Sequence, residues 1–330
     1  MEEPKNNTSS NENKSVLANR YTIISELDSS GLTSITYKVL DEETGETKVA
    51  KIFHDNYRKE FQEETKVYEM LEQIDIPNKI RFYESGISDF TEDGNTTKKM
   101  YIILEYGSKG NLFDALKKTE KGFSEDVCKY ILLILINAVD ALHEEGIFHG
   151  DLKLENIVLS GDIYDIKLID FGFSTKYVDE NSQVKKVKKF CGSKFYCAPE
   201  ILALKSYDGR KTDIFSLGVI LFLLMTKSFG FAEAKPYTAL TNIENQLYKL
   251  IKTKQYDIYW DLLRKHFHIK NLSPQFKNIF LKMVEYDPEE RISIEGIRND
   301  EFMAEVVNAS EEQLNLLRQK MINQIENAEQ

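Results

Sequence analysis

Two short segments in the middle of the chain combine the residue types that phosphoryl transfer requires. Residues 149–156 read HGDLKLEN, and residues 170–172, which begin fourteen positions after Asn156, read DFG. Phosphoryl transfer needs one carboxylate that orients the attacking hydroxyl and hard oxygen ligands that hold magnesium on the phosphates. Asp151 is suited to the first role. Asn156 and Asp170 are suited to the second, so the pattern indicates magnesium-assisted phosphoryl transfer.

These segments, with a third at Ala198-Pro-Glu200, resemble the signature motifs of the eukaryotic protein kinase family. They have the H-x-D-L-K-x-x-N, D-F-G and A-P-E forms in family order. The resemblance covers about residues 20–303. It implies that Lys153 neutralises the γ-phosphate, and Lys153 together with Ser193 favours serine/threonine over tyrosine kinases. Ordinary polar loop residues are the competing interpretation, which three ordered motifs make improbable.

The resemblance also assigns phosphate-binding residues near the N-terminus. Lys51 matches the third-strand lysine that holds the α- and β-phosphates, and Val49 is expected to cover the adenine. The partner of Lys51 comes from the next helix, where Glu64 fits the spaced apolar pattern best. Glu60 and Glu63 remain competing candidates.

The glycine-rich loop of the family is only partly present. Without gaps, its three glycine positions fall on Ser29, Gly31 and Ser34. Glycine lets backbone N–H groups approach phosphates without a Cβ between them. We therefore expect weaker ATP affinity but not loss of binding. The backbone from Glu105 to Gly107 resembles the hinge that hydrogen-bonds adenine.

Several further positions match the structural and activation elements of the family. Asp213 is expected to accept backbone hydrogen bonds from the catalytic loop, and Arg291 is expected to form a buried pair with Glu200. Removing one partner of such a pair is strongly destabilising. The complete set is His149, Phe171, Gly172, Ser193, Glu200, Asp213 and Arg291.

Two departures from the family pattern belong together. Gly150 replaces the H-R-D arginine that binds an activation-segment phosphate, and Lys189 replaces the threonine that carries it. Their joint absence predicts activity without activation-loop phosphorylation. Three interpretations remain open for Lys185, Lys186, Lys188 and Lys189: they form a solvated face, they supply fixed positive charge, or they bind an acidic partner. Phe173, which follows D-F-G, favours serine over threonine as the acceptor.

The predicted fold class is α+β, in a two-lobed kinase fold with a small β-rich lobe and a larger helical lobe. Strands are expected at 21–27, 35–40, 48–53, 79–86 and 100–106, a main helix at 58–74, and an exposed hairpin loop at 89–98. A fully apolar run, Leu217–Met225, predicts a buried helix. The predicted divisions are a disordered segment at 1–19, the N-lobe at 20–107, the C-lobe at 108–303 and a helical tail at 304–330.

Composition narrows the class of protein further. The net charge of −11 argues against nucleic-acid binding, and no apolar run approaches the roughly 20 residues that cross a bilayer. Three scattered cysteines suggest reduced thiols in the cytoplasm, with the nucleus as the alternative. The tail has an acidic polar face, so calmodulin binding is disfavoured. Packing of this tail against the large lobe is expected.

Three functional hypotheses follow from these observations. The first is an active, ATP- and Mg²⁺-dependent serine/threonine kinase that acts on protein substrates and most resembles the calcium/calmodulin-dependent and AMP-activated kinase group. Leu154-Glu-Asn156 and Tyr256–Trp260 carry that resemblance. The second is a pseudokinase scaffold that binds nucleotide or partners, which the altered glycine loop motivates. The third is a kinase held inactive by its own tail.

Overall fold

The chain divides into two units in the computed structural model. The first unit contains the described residues up to Glu72 together with Ile80–Tyr106, and the second contains Gln73–Lys79 and the residues from Gly107 onward. The structure describes residues 15–29, 31–178, 183–231, 243–269 and 272–327.

Six antiparallel strands close into a barrel in the first unit, in the order β1-β2-β3-β4-β6-β5. The buried side chains of Leu17, Tyr21, Val39, Ala50 and Ile103 fill its interior. The strands are rich in β-branched and aromatic residues, which suit a pleated, half-buried surface. The elements are β1 Val16–Leu17, β2 Tyr21–Asp28, β3 Ser34–Asp41, β4 Thr47–Phe53, helix α1 Arg58–Leu71, β5 Phe82–Glu92 and β6 Asn95–Glu105.

The N-terminal prediction needs a correction. Residues 1–14 lie outside the described residues, but Val16–Leu17 form a strand within the segment that was predicted to be disordered. This strand pairs with both β2 and β5, and Leu17 is fully buried in the barrel. Burial of one large apolar side chain and pairing on both edges offset the entropy of ordering these few residues.

The predicted hairpin loop at 89–98 is also wrong. Strands β5 and β6 continue through it, and only Asp93 and Gly94 lie in the turn. Both have positive φ angles, 49° and 78°, as a two-residue type I′ turn requires. The hydroxyls of Thr91 and Thr96 are 2.9 Å apart across the hairpin. The Asp-Gly pair was the sequence signal for this turn, and it outweighs the polar character of the flanking residues.

The second unit is mostly helical, with two small two-stranded sheets, β10-β7 and β8-β9. Its strands are β7 Ile147–Phe148, β8 Ile157–Ser160, β9 Asp165–Leu168 and β10 Thr175–Lys176. Its helices are α2 Leu112–Lys118, α3 Glu125–Glu144, α4 Pro199–Leu202, α5 Gly209–Thr226, α6 Ile243–Lys252, α7 Tyr256–His266, α8 Pro274–Met283, α9 Ile294–Arg298, α10 Ala304–Val307 and α11 Glu311–Glu326.

Helix α5 contains the apolar run that predicted a buried helix. Its residues from Leu217 to Leu224 are all buried. Asp208 caps the helix, because its side chain accepts a hydrogen bond from the Arg210 N–H. The Leu217–Leu224 part of α5 is apolar on every face and therefore has neighbours on every face. These contacts hold α5 in one position within the second unit.

The segment Gln73–Lys79 belongs to the second unit, although the sequence placed it inside a continuous N-lobe. The Asn78 side chain donates to the Ile166 carbonyl at 2.9 Å, and the Leu168 N–H donates to the Asn78 carbonyl at 2.7 Å. These bonds tie the segment to β9, so the first unit is built from two stretches of chain.

The tail packs against the preceding helices of the second unit, as predicted. Helix α11 begins with a capping box formed by Ser310 and Gln313. It buries Met321, Ile322 and Ile325, and it contacts α3. In return, Gln324 exchanges two hydrogen bonds with Ser124, the residue that precedes α3.

No helix among the described residues is both long enough and apolar enough to span a bilayer.

The Arg291–Glu200 ion pair generates a test of stability. The Arg291 guanidinium donates to both carboxylate oxygens of Glu200, at 2.7 and 3.1 Å, and both residues are buried. Arg291→Met leaves the Glu200 charge buried without its partner, so we expect the free energy of unfolding to fall by about 3–5 kcal/mol. Urea denaturation followed by circular dichroism measures the change.

The matched control is Lys254→Met, which breaks an exposed ion pair with Glu290 of 3.1 Å. Solvent screens that pair, so we expect little change in stability. Similar small losses in both variants would contradict a structural role for the buried pair.

Candidate active site

The catalytic-loop backbone is held by a buried carboxylate on α5. Asp213 accepts hydrogen bonds from the N–H groups of His149 at 2.8 Å and Gly150 at 3.0 Å. The ring of His143 lies 2.9 Å from the same carboxylate, and Asp213 is only 1% exposed. This is the contact that the sequence predicted for Asp213. It fixes the direction in which the next residue, Asp151, projects.

Three donors surround the Asp151 carboxylate. Its Oδ2 accepts from Lys153 Nζ at 2.8 Å and from Asn156 Nδ2 at 3.1 Å. Its Oδ1 accepts from Ser193 Oγ at 3.0 Å. Lys153 Nζ also donates to Ser193 Oγ at 3.2 Å, and Asn156 Nδ2 donates to the Asp151 backbone carbonyl at 2.9 Å. Four of the predicted site residues therefore form one hydrogen-bonded cluster.

This arrangement leaves room for one further donor. A carboxylate offers about four lone-pair positions, and the three donors above take three of them. Because Oδ1 accepts from Ser193 alone among the described residues, the remaining position lies on that oxygen. A hydroxyl that approaches Asp151 can donate to it there, as a general base requires.

Lys153 carries a positive charge in this cluster. Burial lowers the pKa of its ammonium group, but the charge and hydrogen bond of Asp151, with the charges of Asp170 and Glu155, raise it above its ordinary value. An ammonium held 2.8 Å from the Asp151 carboxylate is suited to binding a phosphoryl group that enters the same space.

Asp170 adopts a left-handed backbone conformation. Its φ angle is 63°, in a region that is uncommon outside glycine but that aspartate enters more readily than most residues. The next residue, Phe171, is buried and its ring lies 5.1 Å from that of His149, whereas Gly172 is exposed.

Asn156 and Asp170 have the donor chemistry that magnesium prefers. Both side chains offer oxygen ligands, and the Asn156 amide nitrogen already donates to Asp151, which leaves its carbonyl oxygen as the acceptor. Within the described residues, no three carboxylate, imidazole or thiolate groups converge as a self-sufficient metal site. Two protein oxygens suit magnesium, because this ion usually keeps waters and substrate phosphates as its other ligands.

In the first unit, Lys51 pairs with Glu64. Lys51 Nζ donates to both carboxylate oxygens of Glu64, at 2.8 and 2.9 Å, and Glu64 is buried in α1. The competing candidates, Glu60 and Glu63, are exposed. Val49 and Lys51 are two residues apart on β4 and therefore face the same side, whereas the intervening Ala50 faces the barrel core.

Gly31, the glycine that is retained in the altered loop, is required for steric reasons. A Cβ at Gly31 would lie 2.8 Å from the carbonyl oxygen of Ser34, which is too close for any side chain. Ser29 is exposed, but Ser34 is only 4% exposed at the start of β3. The two serines therefore occupy different environments. Ser30 lies outside the described residues.

The two residues of the predicted hinge fall in different units. The Glu105 N–H donates to the Arg81 carbonyl at 2.9 Å, and its carboxylate accepts from the Arg81 N–H at 3.2 Å. Gly107 belongs to the second unit. A Cβ at Gly107 would lie 2.7 Å from the Val158 side chain, so only glycine fits this position.

Sequence reasoning missed two contributors to the site. The Tyr196 hydroxyl donates to Glu155 at 3.3 Å, beside the catalytic loop, and burial raises the pKa of this phenol well above its ordinary value. His143, on α3, contacts the carboxylate of Asp213. Neither residue is one of the motif positions quoted from the sequence, and the fold brings both of them to the site.

Comparisons with known proteins agree with the geometry. A family model described as the protein kinase domain matches residues 23–303. An SNF-related serine/threonine-protein kinase from Homo sapiens is 33% identical over 264 residues, which cover 76% of this chain and 31% of the relative. CBL-interacting serine/threonine-protein kinase 26 from Arabidopsis thaliana is 34% identical over 231 residues, which cover 69% of this chain and 45% of the relative. The chain therefore spans less than half the length of these relatives.

The different surroundings of the two aspartates predict different effects of their amides. Asp151→Asn should abolish phosphoryl transfer but leave Mg-ATP binding within about twofold, if Asp151 acts on the acceptor hydroxyl as the motif predicts. Asp170→Asn removes the charged group of the predicted magnesium site, so it should also weaken Mg-ATP binding by about tenfold or more. Thermal-shift titration with Mg-ATP, compared with ATP in a chelator, separates the two. Equal loss of binding in both variants would contradict these roles.

Proposed function

The chain belongs to the protein kinase family, and from that premise we propose that it transfers the γ-phosphate of ATP to serine, and less well to threonine, on protein substrates. The observation that carries this proposal is the Asp151 carboxylate, which is held by Lys153, Asn156 and Ser193 with one acceptor position left for a hydroxyl.

The predicted catalytic and ATP-binding residues each have a defined task in this reaction. Asp151 accepts a hydrogen bond from the acceptor hydroxyl, orients its oxygen toward the γ-phosphorus and receives its proton. Lys153 stabilises negative charge on the transferring group. Asn156 and Asp170 would hold magnesium, which supplies positive charge on the phosphates when it is bound. The Lys51 ammonium, oriented by Glu64, binds the phosphates of ATP.

A pseudokinase scaffold is the alternative, and the serines at positions 29 and 34 motivate it. Against it stand the intact Lys51–Glu64 pair and the ordered Asp151 cluster. Purified protein, labelled ATP, magnesium and a mixed peptide array decide between them. Transfer that Asp151→Asn abolishes supports the kinase, and nucleotide binding without transfer supports the scaffold.

We also propose that activity does not require phosphorylation of the activation segment. Gly150 has no side chain to bind a phosphate, and its φ angle is 80°. A Cβ there would lie 2.9 Å from the Phe173 carbonyl oxygen, so an arginine would be strained. Lys189 cannot be phosphorylated as a threonine can. Ser174 is buried and donates to the His149 carbonyl at 2.9 Å, so it is poorly placed as an acceptor.

Phosphatase treatment tests this second proposal. Enzyme stripped of phosphate, as verified by mass spectrometry, should keep at least half of its turnover on a peptide substrate. The control is the double variant Thr175→Ala with Ser182→Ala, which removes two further hydroxyls that follow D-F-G in the sequence and should behave like the wild type. A tenfold drop on dephosphorylation, absent in the double variant, would overturn the proposal.

The preference for serine rests on Phe173. This side chain is 37% exposed and directly follows the D-F-G segment. In the family that the chain belongs to, this position lies below the acceptor side chain. A flat ring there leaves space best filled by serine, and the extra methyl of threonine crowds it. One misplaced methyl changes specificity by roughly 10- to 200-fold.

Matched serine and threonine peptides measure this preference as a ratio of kcat/KM. We expect at least a tenfold ratio in the wild type and a shift toward threonine in Phe173→Ile. Leu316→Ile changes an exposed apolar side chain on α11, 65% exposed and outside the activation segment, and should leave the ratio unchanged. Equal rates on both peptides in the wild type would refute the role of Phe173 without affecting the assignment as a kinase.

A further inference from the structure

The activation segment is held in place although it has neither the arginine nor the threonine of a phosphate clamp. This segment, residues 183–193, ends at Ser193, which donates to Asp151. Any movement of the segment therefore reaches the catalytic carboxylate. Some other group has to position it if the proposed function, on which this inference rests, is correct.

Tyr207 makes four hydrogen-bonded contacts with this segment. Its backbone exchanges two bonds with Val187, each 2.9 Å long. Its hydroxyl donates to the Lys189 carbonyl at 3.1 Å and lies 2.8 Å from Cys191 Sγ. Lys189 is the position where the family carries the phosphorylated threonine, so Tyr207 binds the backbone at that place.

The direction of these bonds follows from counting protons. A tyrosine hydroxyl has one hydrogen, and here it is used toward the Lys189 carbonyl. The hydroxyl oxygen is then the acceptor, and the Cys191 thiol is the donor. Burial raises the pKa of both the Cys191 thiol and the Tyr207 phenol, so both groups keep their protons at neutral pH. The thiol, hydroxyl and carbonyl form a directed chain.

The ring of Tyr207 is itself fixed on the catalytic loop. It is 2% exposed and packs edge-on against Phe148, with ring centroids 6.4 Å apart. Phe148 is the residue immediately before His149. A Cβ at Gly209 would lie 2.2 Å from the Phe148 ring, so the glycine makes this packing sterically feasible. Tyr207 thus joins the activation segment to the residues that precede Asp151.

We propose that Tyr207 is a positioning residue, and that the chain from Cys191 through Tyr207 to the Lys189 carbonyl holds the activation segment in its productive arrangement without a phosphate. The anchor is uncharged and permanent. It sets Ser193 against Asp151 and Lys153 by fixing the backbone a few residues before it.

Tyr207→Phe tests the anchor, because it removes the hydroxyl and keeps the ring against Phe148. Loss of one buried hydrogen bond corresponds to a change of roughly three- to tenfold. We expect KM for a protein or peptide substrate to rise by that factor, with KM for ATP within twofold of the wild type. Amide exchange in residues 183–193, measured by mass spectrometry, should accelerate by a similar factor.

Tyr248→Phe is the matched control. Tyr248 is also buried, and its hydroxyl donates to the Val284 carbonyl at 3.2 Å, away from the activation segment in sequence. It should change neither substrate KM nor exchange in residues 183–193. Identical effects of the two variants, or a parallel rise in KM for ATP, would overturn the proposal in favour of a general loss of stability.

The donor end of the chain gives an independent test. Cys191→Ser keeps a donor beside the Tyr207 hydroxyl and should stay closer to the wild type than Cys191→Ala in both substrate KM and amide exchange. Equal substrate KM and equal amide exchange in Cys191→Ser and Cys191→Ala would overturn the role of Cys191 as a hydrogen-bond donor to Tyr207. If the wild type phosphorylates no peptide, the proposed function fails, but amide exchange still decides the anchor. Faster exchange in Tyr207→Phe alone supports it, and unchanged exchange refutes it.

Discussion

The hydrogen bonds that Asp213 accepts are the constraint on which the rest of the catalytic loop depends. Hydrogen bonds to a charged group contribute about 1.5–3 kcal/mol each, and ordering one backbone residue costs about 1–2 kcal/mol. The two amide bonds to His149 and Gly150 therefore outweigh the entropy of fixing these residues. Asp213 can act in this way because the Leu217–Leu224 part of α5 is buried on every face, and the helix cannot move without losing these contacts.

The positions of the other catalytic-loop side chains follow from the position of Gly150. Because the backbone of Gly150 is fixed, the Asp151 side chain projects in one direction. It accepts hydrogen bonds there from Lys153, Asn156 and Ser193. Gly192 has a φ angle of 87°, and a Cβ there would lie 2.8 Å from the Gly150 carbonyl oxygen. Two segments distant in sequence thus meet backbone to backbone, and this contact depends on glycine at position 192.

Much of this site was predictable because its chemistry is local. Asp151, Lys153 and Asn156 lie within one stretch of six residues, so they can be recognised without knowing how the rest of the chain folds. The Lys51–Glu64 pair required the positions of a strand and a helix, which periodicity supplies. The pairing of Val16–Leu17 was not predictable in this way, because a two-residue strand has no period. The turn at Asp93-Gly94 was readable, but the polar composition around it was given too much weight.

Sequence patterns do not predict contacts that a single side chain makes with a residue far away in the sequence. Tyr207 reaches Lys189, and Tyr196 reaches Glu155, 41 residues away, because the packing of the second unit places them there. A tyrosine in isolation predicts only burial with a polar end. The identity of its partner depends on the tertiary structure, and sequence spacing does not contain that information.

The bonds between α11 and the start of α3 have a consequence for synthesis of the chain. Ser124 acquires its partner only when Gln324 has been made, 200 residues later. At roughly 5–20 residues per second, that delay is on the order of 10–40 s. The first unit contains no residue beyond Tyr106, so all of its residues are made early. Helix α3, the longest among the described helices, lacks these two hydrogen bonds at its start until translation has passed Gln324.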